Sequence, residues 1–254
     1  MKKIETIPSS FSAKNNCLKD KFILVTGAGD GIGRVAALTF ASHGATVLLL
    51  GKTESKLNAV YDEIEKNQWS QPALLPFDLN SSDPEQYKII SKVIAENFGR
   101  LDGLLHNAGI LGDRSSIESY KPKRWMDTLQ INLNAPFLLT QALLPLLKKG
   151  GHASIIFTSS GVGRTGRAYW GAYGVSKFAI EGLMETLADE LVDTTTIRVN
   201  CINPGPTRTT MRAQAYPAEN PESLKTPEQL MPTYLYLMSD ESVKVTGKSF
   251  DAQK

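Results

Sequence analysis

The stretch FILVTGAGDGIGRVAALTFASHG, residues 22–44, decides the fold. It opens on a short apolar run of β-forming residues, passes through a cluster of glycines and closes on an amphipathic helical pattern. Glycine lets the backbone turn tightly and approach a phosphate, and the start of the following helix offers free N–H groups to an anion. The strict G-x-G-x-x-G spacing fails when counted from Gly27, because Ile32 stands at its last position. The spacing present is G-x-x-x-G-x-G, with Gly27, Gly31 and Gly33. Glycines between a strand and a helix also serve plain packing. The strand before and the helix after turn the reading toward a dinucleotide cofactor.

Outward from this unit, short apolar runs recur: TVLLL (46–50), ALLPF (73–77), DGLLHN (102–107), ASIIFT (153–158), TIRVNCI (196–202) and a weaker KSFDA near the end. Runs without polar alternation suit strands buried on both faces. The segments between them are helical in period; Ile180, Leu183, Leu187 and Leu191 fall on one stripe. Strand–helix alternation along the chain predicts an α/β, Rossmann-type doubly wound parallel sheet of about seven strands with helices on both faces. The 254 residues fit one domain, 1–254. Residues 1–20 read as a polar lead-in. The segment 210–228, with three prolines, interrupts the alternation and reads as a substrate lid.

Composition narrows the function classes. Apolar residues make up 41% and charged residues 21%, as in an ordinary globular protein, and the net charge is only +2. No basic run points to nucleic acid. The lead-in lacks an apolar signal-peptide core, and the most apolar segment, LNAPFLLTQALLPLLKK, is interrupted by Asn134, Pro136, Gln141 and Pro145, so no membrane is expected. Cys17 and Cys201 have no metal-site spacing and suit a reducing, cytoplasmic setting. His43, His106 and His152 form no cluster, so no metal is expected.

A second stretch, RAYWGAYGVSK (167–177), carries the chemistry. Residues four apart on a helix lie one above the other, so Tyr173 and Lys177 share a face. That face is the stripe continued by Ile180 and Leu187. Tyr169 is two turns from the lysine and precedes the helix. The helix follows the ASIIFT strand, so its first turn lies near the carboxyl ends of the strands, where open α/β sheets bind ligands. An ammonium beside a phenol lowers its pKa from about 10 toward neutrality, which suits proton transfer. A lone Y-x-x-x-K also occurs in helices with no such role.

The motifs together settle the matter by resemblance. TGAGDGIG, FDLN at Asp78, HNAG at Asn107, INLNAPF at Asn132, FTSSGVG at Ser160, YGVSK at Tyr173 and Lys177, and NPGPTRT at Pro204 stand in the order and spacing of the short-chain dehydrogenases/reductases over residues 20–252. The wording CINPGPTRTTMRAQAYP and TGKSFDAQ is similar to the bacterial YciK-like subgroup of that family. The resemblance implies hydride transfer between a nicotinamide and a carbonyl or alcohol, with a tetrad of Asn132, Ser160, Tyr173 and Lys177. Ser160 would hold the carbonyl, with its neighbour Ser159 pointing to the opposite face. Tyr173 would exchange the proton, Lys177 would also bond the nicotinamide ribose, and Asn132 would hold a water linking Lys177 to solvent. Asn132 can also be read as a satisfied helix asparagine. Gly27, Gly31, Ile32 and Gly33 would cradle the pyrophosphate, and Asp78 and Leu79 would flank the adenine. Asn107 and Gly109 would sit beside the cofactor. Pro204, Gly205, Thr207 and Thr209 would line the carboxamide or phosphates.

NADP(H) is expected in preference to NAD(H). At the end of the second strand, where NAD-using relatives place an acid, stands Gly51, followed by Lys52, Thr53 and Ser55. Asp30 inside the glycine turn argues the other way. Arg164, Arg167, Arg208 and Arg212 either read an anionic substrate group or tie loops to carbonyls. The resemblance implies a homodimer through the helices carrying 124–148 and 173–192. A homotetramer stays open, because the ending TGKSFDAQK departs from the glycine pair many relatives carry. Two rivals are a cofactor-binding regulator or scaffold without turnover, and an extended-branch epimerase or dehydratase, whose glycine loop and length differ.

Overall fold

The computed structural model describes residues 4–253. Eight strands form one sheet: β1 Ile4–Glu5, β2 Phe22–Thr26, β3 Thr46–Gly51, β4 Ala73–Pro76, β5 Gly103–His106, β6 Ser154–Thr158, β7 Arg198–Asn203 and β8 Lys248–Asp251. All neighbours pair in parallel, in the order β1-β8-β7-β6-β5-β2-β3-β4. The helices are α1 Gly31–Ser42, α2 Glu54–Lys66, α3 Pro84–Phe98, α4 Pro122–Leu129, α5 Ala135–Lys149, α6 Gly171–Val192, α7 Thr210–Ala215 and α8 Met231–Met238. A π-helical turn, Gln130–Asn134, joins α4 to α5.

Burial on both faces is the reason the strand runs lack alternation. Ile23, Val25, Val47, Leu49, Leu105 and Ile156 pack with α1, α2 and α8. Their neighbours Leu24, Leu48, Leu50, Leu104, Ile155 and Phe157 pack with α3, α5 and α6. The two-residue period thus sorts one continuous apolar run into two cores. On α6 the stripe is rotated slightly from the expected one: Ile180, Met184, Leu187 and Leu191 are buried, while Leu183 is partly exposed.

The strand order reverses beside β2. From β2 the chain steps outward to β3 and β4, then crosses back to β5 on the other side of β2. Connections leaving β2 and β5 in opposite directions open a crevice at the carboxyl ends of these strands. Both glycine-bearing turns, 27–33 and 107–109, emerge there.

The expectation of about seven strands is one short. The extra strand lies in the stretch read as a polar lead-in, whose residues 1–3 fall outside those described. Ile4 and Glu5 pair with Ser249 and Phe250. Phe11 packs edge-on against Tyr236 at 5.1 Å, and Leu18 is fully buried. An isolated apolar residue among polar ones carries no period, so this docking was not readable. The 210–228 segment is likewise not bare loop: it holds α7 and a 3₁₀ turn, Pro221–Ser223. Thr209 caps α7 by accepting from the Arg212 N–H at 3.2 Å.

Candidate active site

A cleft of about 590 Å³ runs along the carboxyl ends of the strands. At one end lies the glycine turn. Asp30, the residue before α1, has extended backbone and its side chain makes no capping bond, so the start of the helix turns its orphan N–H groups toward the cleft, where an anion would meet them. Gly33 is needed for a different reason: a Cβ there would stand 2.2 Å from the Gly27 carbonyl oxygen and 2.6 Å from Asn107 Nδ2. It lets helix, turn and the 107–109 segment close on one another. The residues present therefore fit a dinucleotide's phosphates.

The structure brings most of the expected residues to this cleft: Gly27, Gly31, Ile32, Lys52, Asp78, Leu79, Asn107 and Gly109 on the β2–β5 side, and Ser160, Tyr173, Lys177, Pro204, Gly205, Thr207 and Thr209 on the other. Gly33 and Asn132 stand behind the wall.

Ser160 follows β6 in extended conformation and opens a 3₁₀ turn, Gly161–Gly163. Ser159 beside it is buried with its hydroxyl unpartnered. Tyr173 and Lys177 lie in the first two turns of α6, as their spacing predicted. Tyr169 precedes that helix and is 60% exposed. Lys177 is buried, its Nζ donates to the Thr158 carbonyl at 2.7 Å, and burial lowers its pKa to about 8. Tyr173 departs from expectation. Burial pushes its phenol up from the ordinary tyrosine range, and a hydrogen bond with Ser160 opposes that rise. The ammonium expected to lower it sits 5.6 Å from the ring centroid and spends a proton on Thr158. Burial is thus the larger influence on this phenol, ahead of its hydrogen bond with Ser160.

Asn132 is held in the π-helical turn with all its polar atoms engaged. Its Oδ1 accepts from the Ile110 N–H at 2.8 Å; its Nδ2 donates to the Ile110 carbonyl at 2.9 Å and to Ser176 Oγ at 3.1 Å. Ser176 Oγ in turn donates to the Tyr173 carbonyl at 2.7 Å. Asn132 thus joins the 107–110 segment to the helix of Tyr173 and Lys177.

At the end of β3, Gly51 leaves the place of the acid empty of side chain, and Lys52 and Thr53 line the cleft. Asp30 is neutralised by an ion pair with Lys56, which holds its carboxyl below the usual range. Sequence reading did not single out Lys56. It lies in the first turn of α2, and only the packing of that turn on Gly29 shows that it reaches Asp30.

Three of the four arginines are committed elsewhere. Arg164 pairs with Asp251 at 2.6 Å and with Glu181. Arg208 bonds Glu222 and the Pro221 carbonyl. Arg212 grips Glu219 through two bonds of 2.6 Å. Arg167 lines the cleft with no carboxylate partner among the described residues. Also unforeseen are Trp170 and Tyr216, which wall the cleft near Tyr173 with ring centroids 6.0 Å apart, the Arg114 guanidinium lying 4.3 Å over Trp170. Thr26 Oγ1 accepts from the N–H groups of Asn107 and Ala108, each at 3.0 Å, and so shapes that turn. Among the described residues no group of His, Cys, Asp and Glu could hold a metal ion.

Residues 21–220 match the short chain dehydrogenase family. The chain is 54% identical to the oxidoreductase YciK of Escherichia coli (strain K12) over 243 residues, 96% of each chain. Two solved structures are similar throughout. One is a short chain dehydrogenase from Shigella flexneri 2a complexed with NADP (TM-score 0.92, 54% identity, 95% of this chain and 100% of that one). The other is a short chain dehydrogenase from Escherichia coli CFT073 complexed with NADPH (TM-score 0.92, 54% identity, the same coverage).

Proposed function

Since the chain belongs to the short-chain dehydrogenase family of oxidoreductases, we propose that it transfers a hydride between NADP(H) and a carbonyl or alcohol, with Tyr173 as general acid/base. The observation that carries this reading is the meeting of Ser160, Tyr173 and Lys177 on one wall of a cleft whose other end is the glycine turn. When bound, the nicotinamide supplies or accepts the hydride. Ser160 orients the substrate oxygen. Tyr173 gives its proton to that oxygen during reduction and takes it back during oxidation. Lys177, anchored on the Thr158 carbonyl, places positive charge beside the phenol as the proton leaves.

The preference for NADP(H) rests on Gly51, Lys52 and Lys56. No carboxylate ends β3, Lys52 lines the rim with no carboxylate partner among the described residues, and Lys56 pairs with Asp30. A phosphate on the adenosine ribose would meet the Lys52 ammonium with the Asp30 carboxylate held by Lys56. The relatives solved with NADP and NADPH accord with this.

A homodimer belongs to the same reading. Met126 and Phe137 along the α4–α5 run, and Val175 and Phe178 on α6, expose apolar side chains on the helices expected to pair. The free thiols of Cys17 and Cys201 suit a reducing cytoplasm. Among the described residues no helix is long and apolar enough to cross a membrane.

The test is NADPH oxidation against a panel of carbonyls. Tyr173→Phe should lose at least about 10²-fold in kcat, while Tyr169→Phe, outside the cleft, stays near wild type. Reversed losses would overturn the assignment. A wild type that binds NADPH yet reduces no carbonyl would point instead to a cofactor-binding regulator.

A further inference from the structure

The ending that departs from the family's glycine pair does something specific. After β8 the chain turns back across the loop Pro204–Thr207, and the Gln253 amide reaches into it. Gln253 Nε2 donates to the Pro204 carbonyl at 2.7 Å and the Pro206 carbonyl at 2.8 Å, and lies 3.3 Å from Thr207 Oγ1.

This loop has few donors of its own. Pro204 and Pro206 have no N–H, so only Gly205 and Thr207 offer a backbone donor in the segment. The Gly205 N–H is already spent on Asn203 Oδ1 at 3.1 Å. Within the loop the Thr207 hydroxyl reaches the Gly205 carbonyl at 3.1 Å and the Pro204 carbonyl only at 3.4 Å, and Gln253 adds the shorter bonds to both proline carbonyls. The fit is close: Gly205 sits at φ 70°, and a Cβ there would stand 3.1 Å from the Gln253 amide. The same stretch carries a second tie. Asp251 Oδ1 accepts from Asn203 Nδ2 at 2.8 Å and from Arg164 at 2.6 Å. Arg164 closes the turn that begins at Ser160.

We propose that Gln253 is a positioning residue for the cofactor: its amide holds the Pro204–Thr207 loop in the shape that lines the nicotinamide end of the cleft before any ligand arrives. This rests on the reading of the cleft as an NADP(H) site. The loop acts on one end of the dinucleotide only, because Lys52, Lys56 and the glycine turn form the other.

The experiment compares Gln253→Met, which keeps length and loses the donor, with Gln253→Lys, which keeps a donor. Each is titrated with NADPH and with adenosine 2′,5′-bisphosphate, a probe of the adenosine end alone. Two lost hydrogen bonds predict about a 10-fold weaker NADPH affinity in Gln253→Met. The bisphosphate affinity should be unchanged, and Gln253→Lys should recover most of the NADPH affinity. Wild-type NADPH affinity in Gln253→Met overturns the proposal. So does an equal loss for both probes, or a lower melting temperature with unchanged affinity, since each marks a merely structural role. Failure of the wild type to bind NADPH at all would refute the cofactor reading instead.

Discussion

Replacing Asn132 with alanine separates two roles for this residue. Its side chain makes three hydrogen bonds, two of them to the backbone of Ile110, and it is 1% exposed. Truncation strands the Ile110 N–H and carbonyl in a part-buried place and takes one of two partners from the Ser176 hydroxyl. Each stranded buried group costs about 1–3 kcal/mol, and water entering the gap recovers some of it. We expect a net loss of roughly 2–4 kcal/mol. At about 2–4 °C per kcal/mol for a protein of this size, melting should fall by roughly 5–15 °C. Asn132→Asp should also be destabilised, because a carboxylate oxygen would then face the Ile110 carbonyl. The assay is thermal unfolding by circular dichroism beside a steady-state measurement of kcat. A normal melting temperature with a large loss of kcat would refute the structural reasoning. It would return Asn132 to the proton path that the family resemblance implies.

Lys52→Ala should weaken NADPH binding by about 10-fold or more, the scale of one charged hydrogen bond, and leave NADH binding unaltered; equal loss for both, by fluorescence titration, would remove Lys52 from the phosphate site. Lys56→Ala should weaken NADPH further than NADH, because it uncovers the Asp30 carboxylate. Arg198 is fully buried and holds the carbonyls of Leu237, Ser239 and Ser242, so Arg198→Met should cost roughly 3–5 kcal/mol. Unchanged urea unfolding would contradict that. His106, stacked on Phe157 at 4.8 Å and bonded to Thr140, is pushed down to about 3 by burial. The unfolded chain binds a proton near pH 6.5 and the folded one does not, so stability falls as pH drops below that value, by about 2 kcal/mol at pH 5. His106→Gln should flatten this limb of the pH–stability curve.

Much of this protein was legible along the chain. Seven of the eight strands, the helix of Tyr173 and Lys177, and the strand–glycine–helix unit all follow from local period and turn chemistry, which act between residues close in sequence. Spacing alone put Tyr173 beside Lys177 and Tyr169 outside the helix. Order along the chain also brought Ser160 and the 107–109 turn to the same sheet end, since every parallel strand points the same way.

What the chain concealed depends on contacts between distant segments. Lys56 meets Asp30 only because α2 packs over the glycine turn. Asn132 is satisfied because a π-helical turn aims it at Ile110, 22 residues away in sequence. The Tyr173 phenol is pushed up by the apolar surroundings of the cleft, which no spacing encodes. Ile4–Glu5 becomes a strand because β8 offers an edge to pair with. Gln253 finds the Pro204 carbonyl across 49 residues because β8 ends beside that loop. Local rules choose the elements; desolvation and unmet hydrogen bonds, which exist only once the elements pack, decide what each side chain in the cleft is free to do.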